Sequence, residues 1–152
     1  MNAYVQHENV AKSFLARTPG VNGVPRHFME IRFSPKSFAE IMQSAARAGD
    51  DSAWKAFQSF AADPMHRYMT GEENAINRLG YAFLQNKDVS SAVVLFKLNT
   101  RAHPDSANAW DSLGDGYEGM NDIEDARVAY ARSVALNPGN EHAKGELVKL
   151  RR

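Results

Sequence analysis

The chain has 152 residues, a formal net charge of +0 and no cysteine, with 43% hydrophobic and 24% charged residues. This composition is typical of a globular chain with a hydrophobic core, and the balanced charge argues against a nucleic-acid partner, which would need a basic stripe. The lack of cysteine excludes disulfides, thiolate metal sites and cysteine nucleophiles. No apolar run approaches the ~20 residues of a membrane-spanning helix, and residues 1–20 lack the apolar core of a signal peptide. We therefore expect a cytoplasmic protein without a membrane partner.

Residues 1–34 are predicted to form an N-terminal helix followed by an extended arm. Residues 1–16 suit the helix, and the glycine and proline residues of 20–26 indicate a loop. Apolar and polar residues alternate over 27–33, which suits a short strand, although an extended arm fits the same residues equally well.

Residues 35–72 are predicted to form a helical hairpin. Residues 35–48 suit a helix with Pro35 near its first turn. Residues 52–62 suit a second helix that follows a turn at Gly49-Asp50-Asp51. The second helix faintly echoes the repeat described next, so we interpret the hairpin as a degenerate repeat at the front of a stack. The residues that carry this echo are Ala53, Phe57 and Phe60.

An internal repeat with a period of 34 residues occupies residues 73–140. Its residues suit two helices per copy, each with apolar residues on one face and small residues where the helices approach closely. Asp88 and Asp122 are placed to cap the start of the second helix of each copy. The equivalent pairs are Ile76 and Trp110, Leu79 and Leu113, Gly80 and Gly114, Phe83 and Tyr117, Ala92 and Ala126, Phe96 and Tyr130, and Pro104 and Pro138.

This pattern resembles the tetratricopeptide repeat (TPR) family, whose signature is W-x2-L-G-x2-Y…A-x3-F…P at the same period. The first copy carries Ile76 and Phe83 where the family usually has Trp and Tyr. The resemblance implies an all-α fold, a short right-handed solenoid of helical hairpins with an extra helical or extended N-terminal segment. It implies repeats at 73–106 and 107–140 and a capping helix at 141–152. Because about three units are usually needed for a stable stack, the hairpin, a second chain or both must complete it.

The resemblance also implies where a partner would bind, because in this family the first helix of each repeat lines the concave face. Asparagine side chains there suit hydrogen bonds to the backbone of an extended peptide or helix, and the acids suit basic side chains. A solvated face, or one covered by the N-terminal arm, explains the same residues equally well. The predicted partner-binding residues are Asn74, Asn77, Tyr81, Asn108, Asp111, Asp115 and Glu118, with Leu84, His142 and Lys149 beside them.

One ligand class known for this family does not suit the sequence. Some members clamp the terminal carboxylate of chaperone tails with Lys, Arg and Asn on these first helices. The matching places here include Asn77 but also Tyr81, Asp111 and Asp115, and the acids among them would repel a carboxylate. We therefore expect a different peptide or protein partner.

The sequence contains little evidence for a catalytic or metal-binding motif. Ser52-Ala-Trp-Lys55 fits the S-x-x-K motif of penicillin-recognising enzymes, but no K-T-G or S-D-N follows, so a helix cap with an exposed lysine explains it better. His27 and Glu30 stand one turn apart, and two ligands do not make a metal site. We predict no catalysis, no cofactor and no metal.

A second resemblance suggests an alternative function. Segments such as Asp111-Ser112-Leu113-Gly114 are similar to repeats at the C-termini of bacterial serine hydrolases, both α/β-hydrolase esterases and β-lactamase-like enzymes, over about residues 72–150. This implies an accessory or oligomerisation domain, related to or detached from such a hydrolase and without catalysis of its own. The first prediction remains a protein-interaction scaffold, with a homodimer through the N-terminal arm as a further expectation.

Overall fold

A computed structural model describes residues 37–63 and 72–151, and every regular element within these ranges is an α-helix. The predicted all-α repeat stack is therefore confirmed, whereas the helix, loop and arm predicted for residues 1–34 lie outside the described residues. No helix in the described ranges has the length and apolar character needed to cross a membrane. The helices are α1 Phe38–Arg47, α2 Asp50–Ala61, α3 Glu72–Gln85, α4 Val89–Ala102, α5 Ala107–Gly119, α6 Ile123–Leu136 and α7 Glu141–Lys149.

Side-chain caps determine where the repeat helices begin. The Asp88 carboxylate accepts a hydrogen bond from the backbone N–H of Ser91 at 3.3 Å, and Asp122 does the same for Asp125 at 3.3 Å. Both predicted caps are confirmed. Ser106 and Asn140 cap α5 and α7 in the same way. Since a lost cap typically costs ~1 kcal/mol, these polar residues contribute materially to the helix boundaries.

The front hairpin differs from the prediction at both of its helix starts. Ser37 is the N-cap of α1 and forms a capping box with Glu40, so the helix begins at Phe38 and not at residue 35 as predicted. Gly49, with a φ of 101°, precedes α2, and Asp50 and Asp51 form the first turn of that helix. The predicted Gly-Asp-Asp turn is therefore wrong, because carboxylates are favoured at helix N-termini as well as in turns.

The repeats pack by placing a ring of one helix against a glycine of its partner. A Cβ atom added at Gly80 would lie 2.4 Å from the Phe96 ring, and one added at Gly114 would lie 2.4 Å from the Tyr130 ring. Phe96 and Tyr130 are both fully buried. The period of the sequence thus reflects a close helix approach that recurs in each repeat.

The front hairpin and α7 cover the two ends of the stack. Met42 of α1 and Ala53 of α2 belong to the same buried core as Ile76 of α3. The Arg101 guanidinium lies 3.9 Å from the Trp54 ring centroid and joins α4 to α2. At the other end, Ala143 of α7 packs into a cluster with Ala126 and Tyr130, and Leu147 and Leu150 are partly buried against it. The assignment of the hairpin as a degenerate repeat stays a prediction.

Candidate partner-binding face

The predicted partner-binding residues lie on α3 and α5, and His142 and Lys149 lie on α7. Helix α5 packs against both α3 and α7, so the three helices lie side by side. We call the surface formed by these residues the first-helix face. Its exposed members are Asn74, Asn108, Glu118, His142 and Lys149, and its partly buried members are Asn77, Tyr81, Asp111 and Asp115.

Asp115 is the central acceptor of this face. The Tyr81 hydroxyl donates a hydrogen bond to one carboxylate oxygen of Asp115 at 2.6 Å, and the Tyr130 hydroxyl donates to the other at 2.7 Å. Tyr130 also lies 3.1 Å from a carboxylate oxygen of Glu118. Both oxygens of Asp115 are thus engaged within the protein, and the residue links α3, α5 and α6.

The two tyrosines remain neutral donors. Burial raises the pKa of Tyr81 and of Tyr130, and the hydrogen bonds to Asp115 raise it further because a phenolate beside a carboxylate is disfavoured. An ionised acceptor makes each bond stronger than one between neutral groups. The arrangement holds the Asp115 carboxylate in one orientation.

His142 connects α7 to the acids of α5. Its Nδ1 lies 3.1 Å from both carboxylate oxygens of Asp111. Its Nε2 lies 3.9 Å from Asp115 and 3.8 Å from Glu146. The Lys149 ammonium donates to Glu146 at 2.6 Å. We call the carboxylates of Asp111, Asp115, Glu118 and Glu146 the acidic cluster.

Sequence analysis did not identify Glu146, Glu73 or Tyr130 as part of this face. Glu146 stands four residues after His142 and three before Lys149, a helical spacing that could have indicated the contact. Glu73 accepts hydrogen bonds from the Ser106 hydroxyl at 2.6 Å and the Asn108 amide at 3.2 Å, so Asn108 is already engaged. The contacts of Glu73 and Tyr130 depend on how the helices pack, which no local pattern indicates.

The first-helix face contains one buried acceptor without a partner. Asn77 Oδ1 is buried and has no hydrogen-bond partner in residues 37–63 and 72–151. Within the same ranges, no group of three or more His, Cys, Asp or Glu residues could hold a metal ion. The face therefore offers carboxylates, amides and one histidine to a partner.

The pKa of His142 gives a direct test of this geometry. The hydrogen bond to Asp111 raises its pKa above the ordinary value, and Asp115 and Glu146 act in the same direction. The pairing therefore stabilises the fold below the ordinary pKa of about 6.5, and this contribution is lost as the pH rises through the raised pKa. We expect Asp111→Asn to lower the pKa of His142 in a titration followed by NMR. An unchanged His142 pKa in that variant would contradict the contact.

Comparisons with known proteins point to the same fold. No family model matches the sequence. The chain is 21% identical over 124 residues to the tetratricopeptide repeat domain-containing protein PYG7, chloroplastic, of Arabidopsis thaliana, covering 70% of this chain and 41% of that protein. It thus spans about two fifths of the length of this curated relative. Because the relative's name places it in the chloroplast, the cytoplasmic location expected for this chain stays a prediction.

Two solved structures share the architecture. The first TPR of Spaghetti (RPAP3), bound to the HSP90 peptide SRMEEVD, matches with a TM-score of 0.51 and 20% identity, over 74% of this chain and 90% of that one. The first TPR domain of human RPAP3, determined by NMR, matches with a TM-score of 0.51 and 19% identity, over 74% and 89%. These likenesses show a TPR-type fold.

Proposed function

We propose that the protein is an interaction scaffold whose first-helix face binds a segment of another protein that carries basic side chains. The observation that supports this proposal is the acidic cluster. Two positively charged side chains pair with the four carboxylates of this cluster. Lys149 pairs with Glu146, and His142, when it is protonated, pairs with Asp111. A surface with excess negative charge attracts basic segments and repels acidic ones.

The first-helix face has excess negative charge, whereas the peptide bound by the solved neighbour is acidic and would require a basic face. That ligand, SRMEEVD, contains two glutamates and one aspartate. On the present chain such acids would meet Asp111, Asp115 and Glu118. Like charges that meet in an interface cost several kcal/mol. We therefore propose a shared mode of binding with the opposite charge preference.

The internal hydrogen bonds favour binding by holding the acids in place. Asp111 is held by His142, and Asp115 by Tyr81 and Tyr130. Side chains that are ordered before binding lose less conformational entropy when the partner arrives. Glu118 and Asn74 are exposed and remain available for direct contact. Asp115 in this scheme positions its neighbours and contributes charge.

A pair of charge-reversed peptides tests the proposal. We expect a fluorescein-labelled version of SRMEEVD with its acids replaced by lysine and its C-terminus amidated to bind more tightly than SRMEEVD itself, measured by fluorescence anisotropy. Asp111→Asn combined with Glu118→Gln should weaken binding by about tenfold, as expected for the loss of two charges. Glu124→Gln on α6 removes one charge outside the first-helix face, serves as a control and should have no effect. Preference for SRMEEVD, no binding of either peptide, or an equal loss in the control would contradict the proposal.

The alternative function stays a prediction. The relatives and structures named above include no hydrolase, so they do not support an accessory domain of a serine hydrolase. Homodimerisation through residues 1–34 also stays a prediction, because those residues lie outside the described ranges. The proposal assigns no catalysis to the chain.

A further inference from the structure

An open groove of about 750 Å³ is lined by residues that do not belong to the first-helix face. It lies where the turn between α1 and α2, the first half of α4 and the turn between α5 and α6 come together. We call it the α4 groove. Because three separate segments line it, the groove is a product of the stacking of the helices.

Part of the α4 groove lining is apolar. Val93 and Val94 of α4 and Met120 after α5 line it together with the ring of Tyr117. Met120 is 51% exposed, and the other large hydrophobic side chains exposed within the described residues, Val128 and Val148, are not among the lining residues. A flexible methionine beside the buried Val93 and the partly buried Val94 can adapt to an apolar side chain of a partner.

The polar part of the α4 groove lining is mainly negatively charged. Asp50, Asp51, Asp122 and Asp125 line it, and Lys97 is the cation among the lining residues. The Lys97 ammonium lies 3.5 Å from Asp50 and 5.9 Å from the Tyr117 ring centroid, so its charge is already partly balanced. These aspartates lie at the starts of α2 and α6, where a carboxylate interacts favourably with the helix dipole. Their negative charges also lie beside the apolar residues that line the groove.

We infer that the α4 groove docks a segment of a partner protein in which an apolar side chain is flanked by basic side chains. The apolar side chain would cover Met120 and Val93, and the basic side chains would face Asp51 and Asp125. Charge complementarity identifies this occupant, because an acidic segment would meet four aspartates. This second docking surface goes beyond the proposed function and does not depend on it.

The experiment uses the full chain and a labelled peptide in which arginine and leucine alternate. The groove variant combines Met120→Ser with Asp125→Asn. The control variant combines Val128→Ser with Glu124→Gln, so that one exposed apolar side chain and one charge near the start of α6 are removed in each case. Because the first-helix face also attracts basic side chains, binding is followed by the amide resonances of the groove residues in a peptide titration. We expect the groove variant to weaken binding there by about tenfold, and the control to bind as the parent does.

Two further measurements separate this inference from the proposed function. In the parent, the peptide should shift the amide resonances of residues 48–51, 90–97 and 117–125, and replacing its leucines with serine should abolish those shifts. Equal binding by the groove and control variants, or shifts confined to the first-helix face, would overturn the inference and leave the proposed function standing. Loss of binding in Asp111→Asn with Glu118→Gln, with full retention in the groove variant, would overturn it too.

Discussion

Replacing Gly114 with alanine is expected to destabilise the fold by ~1–3 kcal/mol, because the added methyl group overpacks the helix contact. Its Cβ would lie 2.4 Å from the fully buried Tyr130 ring, so the ring or the helix backbone must shift to accommodate it. Alanine is intrinsically a better helix former than glycine by ~0.8–1.0 kcal/mol, so a loss of stability would be due to the packing. Denaturant unfolding followed by circular dichroism measures the difference in free energy of unfolding.

Gly145 provides the matched control for this substitution. It lies within α7, and a Cβ atom added there would have no neighbour within 4 Å. Gly145→Ala should therefore stabilise the protein by about 0.5–1 kcal/mol through the reduced entropy of the unfolded chain. If both glycine variants changed stability in the same direction, the close approach of α5 and α6 would not explain the repeat glycines.

Replacing Asp115 with alanine is expected to cost ~1–3 kcal/mol for each tyrosine hydroxyl that loses its acceptor. Tyr130 is fully buried, and its remaining contact is the longer one to Glu118 at 3.1 Å. The substitution also breaks the links between α5 and its neighbours α3 and α6. Thermal and denaturant unfolding would both report the loss.

A double-mutant cycle shows whether the loss comes from these hydrogen bonds. Tyr81→Phe should cost ~1 kcal/mol in the parent protein. It should cost less once Asp115 is alanine, since the Tyr81 hydroxyl then keeps only its longer hydrogen bond to the Ser112 hydroxyl at 3.2 Å. Residues in one hydrogen-bond network typically show interaction energies of about 0.5–3 kcal/mol. Strictly additive costs would mean that Asp115 stabilises the fold in another way.

The fold was predictable because its signals are local and repeated. The spacing of Gly80 and Phe96, and of Gly114 and Tyr130, recurs at one period and identifies the helix pairs. The caps at Asp88 and Asp122 are equally local. The start of α2 was not predicted correctly, since Gly49 followed by two aspartates suits a turn as well as a helix N-terminus.

The candidate site was only partly predictable. Helical spacing alone placed Asp111, Asp115 and Glu118 on one surface, as they are in the structure. The hydrogen-bond partners on neighbouring helices depend on the distance and rotation between those helices. The 34-residue period of the sequence does not specify either quantity. Sequence analysis therefore treated Asp115 as a direct ligand, whereas its two oxygens already accept hydrogen bonds from Tyr81 and Tyr130.

The most direct test of the proposed binding face is NMR mapping of the full chain with the lysine-substituted peptide. We expect the largest amide shifts at Asn74, Asp111, Glu118 and His142, with a response that weakens as salt is added because the attraction is electrostatic. The assignment of the first-helix face as the partner-binding surface would be contradicted by amide shifts confined to the α4 groove or to α6, or by no shifts at all.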